Sequence, residues 1–157
     1  MYPFVTSRDT NTASFLTEAG ISPQLVDEII LAIRTYAIRV AGNSGPFPNE
    51  ITWDELSKRV GKNIKEKTTV TKKTRRVAEF DTEVVKKAIM INRPTQIALQ
   101  FLNYLFPQDE NKNSWNSLTK EAKDYINKLE EDLNVPITLT GTSKSNEGMV
   151  DRRGAIK

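Results

Sequence analysis

The most regular pattern in the chain lies at residues 117–134, where Ala122, Tyr125, Ile126, Leu129 and Leu133 recur at helical spacing while Lys and Glu fill the other faces. It predicts an amphipathic helix whose stripe faces a core. Two apolar runs have a different character. Ile29-Ile30-Leu31-Ala32-Ile33 flows on through Arg34-Thr35-Tyr36-Ala37-Ile38-Arg39-Val40, and Ile97-Ala98-Leu99-Gln100-Phe101-Leu102-Asn103-Tyr104-Leu105 forms the second. Both read as strands buried on two faces, as in a parallel sheet covered by helices. Shorter β-favouring segments stand at 2–7, 74–80 and 135–140.

Helix starts are marked by capping residues. Thr10 or Thr12 would cap a short helix through Phe15, Leu16 and Glu18, ending at Gly20, and Ser22-Pro23 opens another beside Leu25, Val26 and Ile29. Thr52 precedes a helix at 53–60 with Asp54 and Glu55 in its first turn, where the dipole favours acids, and Gly61 stops it. Asp81 caps a helix with Val84, Val85, Ala88 and Ile89 on one side. The Gly and Pro residues of 42–50 predict a loop, 107–116 reads as a polar linker, and the tail at 143–157 is polar enough to be disordered if judged alone.

Strands and helices therefore alternate in a single α/β unit over 1–157, with mostly parallel strands and flanking helices. A strand opening at the second residue has no lead-in, so the unit reads as an incomplete portion of a larger P-loop-like α/β domain. Polar groups gather at strand exits: Thr6-Ser7, the loop from Gly42, Asn103, and Gly141-Thr142-Ser143. Open α/β sheets bind ligands at the carboxyl ends of their strands. Neither GxxxxGK[ST] nor GxGxxG occurs in the sequence, so the usual phosphate cradles are absent from it.

Charge sharpens this picture. The net charge of +3 hides a polarised chain, because residues 58–76 hold nine Lys or Arg against one acid, Glu66. Within that segment Thr68-Thr69-Val70-Thr71-Lys72-Lys73-Thr74-Arg75-Arg76 interleaves hydroxyls with fixed positive charge, which attracts phosphates or carboxylates. The plain alternative is a solvated basic surface. Only Phe80 lies beside the patch, and single-strand nucleic-acid binders alternate rings with cations, so specific nucleic-acid binding is not expected.

Zero Cys excludes disulfides and thiolate chemistry, and zero His removes the commonest general base and metal ligand. No metal ligands are assigned. With no apolar run near 20 residues and no basic-then-apolar start, the expectation is a cytoplasmic protein that does not contact a membrane.

Taken together, Tyr2-Pro3-Phe4-Val5-Thr6-Ser7, Arg39-Val40 with Gly45-Pro46-Phe47-Pro48-Asn49-Glu50, the 68–76 loop closing on Phe80-Asp81, and Val135-Pro136-Ile137 before Thr140-Gly141-Thr142 resemble the carboxyl-terminal part of adenylosuccinate synthetase, in its compact archaeal-like branch. The resemblance covers nearly the whole chain. It implies a ligase of AMP biosynthesis that joins aspartate to IMP: GTP with Mg2+ phosphorylates the purine 6-oxygen, and the aspartate amine then displaces the phosphate. The family's phosphate loop, catalytic groups and most of its Mg2+ site lie in the amino-terminal half. No catalytic residue is therefore assigned here, and this chain alone is expected to be inactive. It would need that half, from its own enzyme or from a second chain, and the complete enzyme is expected to be a homo-oligomer.

By motif, Thr6 and Val40 resemble residues at the IMP-like nucleotide. Thr69, Val70, Thr71, Lys72, Lys73, Thr74 and Arg75 resemble the loop that grips the aspartate carboxylates. Lys73 stands where an arginine is usual, and a point ammonium cannot reproduce a bidentate fork. Arg75 also matches an arginine reaching GTP. Phe101, Leu102 and Asn103, with Gly141, Thr142 and Ser143, fall at the guanine site, but Gln100-Phe101-Leu102-Asn103 replaces Thr-Lys-Leu-Asp, and Gly141-Thr142-Ser143-Lys144 replaces Ser-Thr-Gly-Pro. An Asn amide offers one acceptor and one donor group, a pattern closer to adenine, so ATP becomes a possible co-substrate. Two further readings stay open: a non-catalytic nucleotide-binding module or degenerate remnant, and an enzyme acting on a deoxyguanylate in place of IMP.

Overall fold

A computed structural model describes residues 10–154. The expected strand at 2–7, with Thr6, lies outside them. A four-stranded sheet has the order β1-β5-β6-β7, built from β1 (Ile30–Arg34), β5 (Gln96–Gln100), β6 (Ile137–Gly141) and β7 (Met149–Asp151). The pairs β1/β5 and β5/β6 are parallel, and β7 closes one edge antiparallel to β6. A smaller antiparallel sheet has the order β2-β4-β3, from β2 (Ala37–Arg39), β3 (Glu50–Ile51) and β4 (Arg76–Ala78).

Among the described residues the four α-helices follow their caps. Helix α1 (Thr12–Ala19) starts at Asn11, whose side chain accepts from the Ser14 N–H, so the cap is Asn11 and neither Thr10 nor Thr12. Helix α2 (Trp53–Val60) has a complete capping box: Thr52 accepts from the Glu55 N–H while the Glu55 carboxylate takes the Thr52 N–H. Gly61 ends it with φ 72°, a left-handed conformation that costs glycine little. Helix α3 (Thr82–Asn92) begins at Asp81 as the sequence predicts. The expected 117–134 helix is α4 (Lys120–Leu133), capped by Thr119 and turned out at Asn134, φ 51°. Ser22-Pro23 yields only a single 3-10 turn, Pro23–Leu25.

Ala122, Ile126, Leu129 and Leu133 of α4 bury against β5 and β6 in one core with Ile97, Leu99, Leu102 and Ile137. A second core gathers Tyr36, Trp53, Leu56, Val60, Val77 and Tyr104 between α2 and the small sheet.

Three expectations change. The apolar run at 29–40 is two strands in different sheets, because the Thr35 hydroxyl is drawn to the Phe101 carbonyl at 2.6 Å while Tyr36 drops into the second core. Of the two apolar runs only the second, β5, is buried along both faces; β1, at the sheet edge among the described residues, leaves Ile30 42% exposed. The 107–116 linker and the polar tail are ordered in part, since Asp109 is fully buried and 149–151 adds β7.

Candidate nucleotide and substrate-loop site

The carboxyl ends of β1, β5 and β6 meet along one edge of the larger sheet. Parallel register sets Arg34 beside Gln100 and Leu99 beside Thr140, which brings the exits at Thr35, Phe101 and Gly141 together. Phe101 takes φ 62°, and its carbonyl receives the Thr35 hydroxyl, so the chain turns sharply out of β5 into the 3-10 turn Leu102–Tyr104. The Arg34 guanidinium lies 3.8 Å above the Phe101 ring, and the rings of Phe101 and Tyr104 are 5.1 Å apart.

The residues expected at the nucleotide divide by what they touch. Leu102 is fully buried in the main core and packs. Thr142 is also fully buried; its hydroxyl donates to the carbonyls of Lys112 at 2.7 Å and Gly148 at 3.0 Å, which fixes the turn into β7. Gly141 lies under the Gln100 amide, which a Cβ at that position would meet. Asn103 and Ser143 line a cavity of about 300 Å3 with Val60, Ile64, Tyr104 and Lys144.

The 68–76 loop is a knotted turn held by its own threonines. Thr68 N–H donates to the Lys73 carbonyl at 2.9 Å, Lys73 N–H returns to Thr68 Oγ1 at 3.1 Å, and the hydroxyls of Thr68 and Thr71 are 2.6 Å apart. Lys72 adopts φ 54° at the tip, beside Val70, which is 88% exposed. At the foot, Arg75 N–H donates to the Glu66 carbonyl at 2.9 Å, and Trp53 Nε1 donates to the Arg75 carbonyl at 2.6 Å. Arg76 forms a fork on Glu50 at 2.8 and 2.6 Å, holding that carboxyl below its ordinary range, so this arginine is structural. Among the described residues no ion pair engages Lys72, Lys73 or Arg75. Lys72, Lys73 and Arg75 set three cations along this hydrogen-bonded turn, which raises its local positive potential.

Val40 follows β2, whose Arg39 pairs with Arg76, so Val40 stands at the end of the small sheet where the basic loop enters. Glu66 links that loop to the sheet exits: its carboxylate pairs with Arg34 and accepts from the Tyr104 hydroxyl at 3.1 Å. Burial, then the Glu66 charge, raises the Tyr104 pKa and keeps the phenol protonated as a donor. Sequence reasoning did not single out Arg34, Trp53, Glu66 or Tyr104. The available signal was Glu66 itself, the lone acid in a run of nine cations. Among the described residues no cluster of carboxylates is suited to hold a metal ion, and no helix is long and apolar enough to cross a membrane.

The sequence model of adenylosuccinate synthetase matches residues 1–112. The chain belongs to the adenylosuccinate synthetase family. Among curated relatives named adenylosuccinate synthetase, that of Methanosphaera stadtmanae is 40% identical over 152 residues, covering 97% of this chain and 43% of the relative. The Methanocaldococcus jannaschii protein is 39% identical over 155 residues, covering 99% and 44%. The chain thus spans less than half the length of these relatives.

The fully ligated Plasmodium falciparum adenylosuccinate synthetase superposes with a TM-score of 0.81 at 21% identity, over 97% of this chain and 46% of that one, a likeness of fold. A cyanophage S-2L succinoaminodeoxyadenylate synthetase, described as bound to dGMP and to dATP as an energy donor, matches with a TM-score of 0.71 at 25% identity, over 97% of this chain and 41% of that one. The mixed α/β architecture with a mostly parallel, helix-flanked sheet is that of part of an adenylosuccinate synthetase-type domain.

Proposed function

We propose that this chain is the carboxyl-terminal part of an adenylosuccinate synthetase-type ligase that joins aspartate to IMP in purine nucleotide biosynthesis and acts together with an amino-terminal half. One observation carries the reading: the cationic turn at 68–76 is anchored through Glu66 and Trp53 beside the sheet exits, with Lys72, Lys73 and Arg75 unengaged by carboxylates among the described residues. Thr69, Val70, Thr71 and Thr74 with these cations would hold the aspartate carboxylates. Val40, with Thr6, would stand at the monophosphate nucleotide, and Arg75 would reach toward the triphosphate.

The chemistry follows from that assignment. The purine 6-oxygen accepts a phosphoryl group from the triphosphate, and the aspartate amine attacks C6 and expels phosphate. This chain's contribution is to bind and orient both substrates. Mg2+ would be held mainly by the amino-terminal half. GTP is the co-substrate the family implies, with ATP as competitor, since the phage relative is described with dATP as its donor. That relative's dGMP also makes a deoxyguanylate the alternative to IMP. Cytoplasmic location and a homo-oligomeric complete enzyme belong to the same proposal.

Mixing this chain with the amino-terminal half of the Methanosphaera relative and following adenylosuccinate formation tests it. Turnover by the mixture and by neither part alone is the expected result. Absence of both a complex and turnover would favour a second reading, a nucleotide-binding module without catalysis, which the replaced residues 100–103 recommend.

A further inference from the structure

Two loops form much of the lining of the cavity of about 300 Å3: residues 110–112, which bring Glu110 and Asn111 to it, and residues 142–145, which bring Ser143, Lys144 and Ser145. Neither loop belongs to an α-helix or a strand, so its place is set from outside. Lys62 of the same cavity pairs with Glu110, but the two side chains are 51% and 33% exposed, and such a surface pair fixes little. The loops are joined where solvent does not reach. Thr142 is fully buried, and its hydroxyl donates to the Lys112 carbonyl at 2.7 Å, the one hydrogen bond between the two loops among the described residues. The Gly148 carbonyl already accepts the Thr142 N–H at 2.7 Å and lies farther from the hydroxyl, at 3.0 Å. A hydroxyl has one proton to give, and the shorter contact is to Lys112.

Lys112 is in turn held by Asp109. Its N–H donates to the Asp109 carbonyl at 3.2 Å and its ammonium to the Asp109 carboxylate at 2.7 Å, closing a turn in which Asn111 takes φ 63°. The same carboxylate accepts the N–H and hydroxyl of Thr119, the cap of α4, so the loop is tied to the helix that seats on the main core. A carboxylate taken fully out of water adds little stability over a well-packed apolar side chain; what it does supply here is a fixed geometry.

We infer that Asp109 and Thr142 are positioning residues of this cavity: acting in series through Lys112, they set the separation of its two loop walls and with it the affinity for the triphosphate nucleotide. The inference rests on the nucleotide-site reading above. It concerns the placing of the walls, whichever base they receive.

Calorimetric titration of this chain with GTP and with ATP, mixed with the amino-terminal half of the Methanosphaera relative, tests it in three variants. Thr142→Val keeps the shape and deletes the donor, and should weaken the tighter-binding nucleotide about five- to tenfold, the equivalent of one hydrogen bond. Thr142→Ser restores the donor and should stay within about twofold of the wild type. Asp109→Asn combined with Thr142→Val should bind about as well as the weaker single variant, because two groups acting on one tie are not additive. In turnover the same variants should raise KM for the nucleotide and leave KM for aspartate unchanged; lower melting temperatures with both KM values unmoved would make the tie purely structural and overturn the inference. Equal losses in Thr142→Val and Thr142→Ser would overturn it as well. Amide exchange of the wild-type mixture decides the matter if a variant does not fold: nucleotide should slow exchange in 110–112 and 142–145 together, and protection of neither loop overturns the inference while binding itself leaves the nucleotide site standing. Binding of neither GTP nor ATP by the wild-type mixture overturns both.

Discussion

The Tyr104 hydroxyl donates to Glu66 Oε1 at 3.1 Å, and the same carboxylate holds Arg34, so one acid ties the foot of the basic loop to two strand exits. Both partners of the ion pair are largely covered, with side-chain exposures of 20% and 14%. Tyr104→Phe removes one hydrogen bond and should cost about 1 kcal/mol. Glu66→Ala leaves Arg34 half-buried without its carboxylate and should cost about 1–3 kcal/mol. Urea unfolding reads both. If the link positions the loop, Glu66→Ala in the reconstituted enzyme raises KM for aspartate more than it lowers stability-corrected kcat; an unchanged KM would reduce the link to a structural brace.

Trp53 anchors the other strand of the same turn through its indole N–H on the Arg75 carbonyl. Trp53→Phe keeps most of the apolar volume in the second core and deletes that donor, so binding should suffer more than folding. Arg75→Ala removes the cation itself and should weaken aspartate or nucleotide binding by about 2–5 kcal/mol where the partner charge is desolvated. An unaltered dissociation constant for both ligands would return the 68–76 turn to an ordinary solvated surface.

Much of the fold was legible because its strongest elements satisfy local rules. The stripe of α4, the Thr52 and Asp81 caps and the Gly61 stop are local signals, and each element formed within a few residues of its expected bounds. Non-local events were not legible. Periodicity sees an apolar run at 29–40 but cannot see Thr35 captured by a carbonyl 66 residues away, which splits the run between two sheets. Nor does composition show that a polar tail will be paired by the edge of β6. The basic turn stands out in the sequence by charge, whereas the burial of Thr142 in a turn and of Leu102 in the core does not. Motif position fixes where a residue falls; burial and partners fix what it can touch.

The α4 stripe supplies a direct check on the main core. Ile126 is fully buried between β5, β6 and the rest of that cluster. Ile126→Ala should destabilise by about 2–5 kcal/mol, from lost transfer energy and the cavity left behind. The neighbouring exposed Asn127→Ala should change stability by less than about 0.5 kcal/mol. Equal effects at the two positions would mean that α4 does not seat on the sheet through this face.

Asp109 gives the chain a pH-dependent brace. Its side chain is fully buried, accepts from the Thr119 N–H at 2.9 Å and Thr119 hydroxyl at 2.6 Å, and pairs with Lys112 at 2.7 Å. Burial by itself would raise its pKa; the hydrogen bonds from Lys112 and Thr119 outweigh that and hold it below its ordinary 3.8. The folded state therefore binds this proton less readily than the unfolded chain. The resulting stability is fully present above about pH 5, and is lost as pH falls through the ordinary carboxylate range and then through the lowered folded value. Asp109→Asn should cost about 2–3 kcal/mol at neutral pH, the worth of hydrogen bonds to a charged group. The variant's unfolding free energy should also fall less steeply than the wild type's between pH 5 and the acid limit. Parallel wild-type and variant curves over that window would show that Asp109 titrates identically in both states, contrary to the brace.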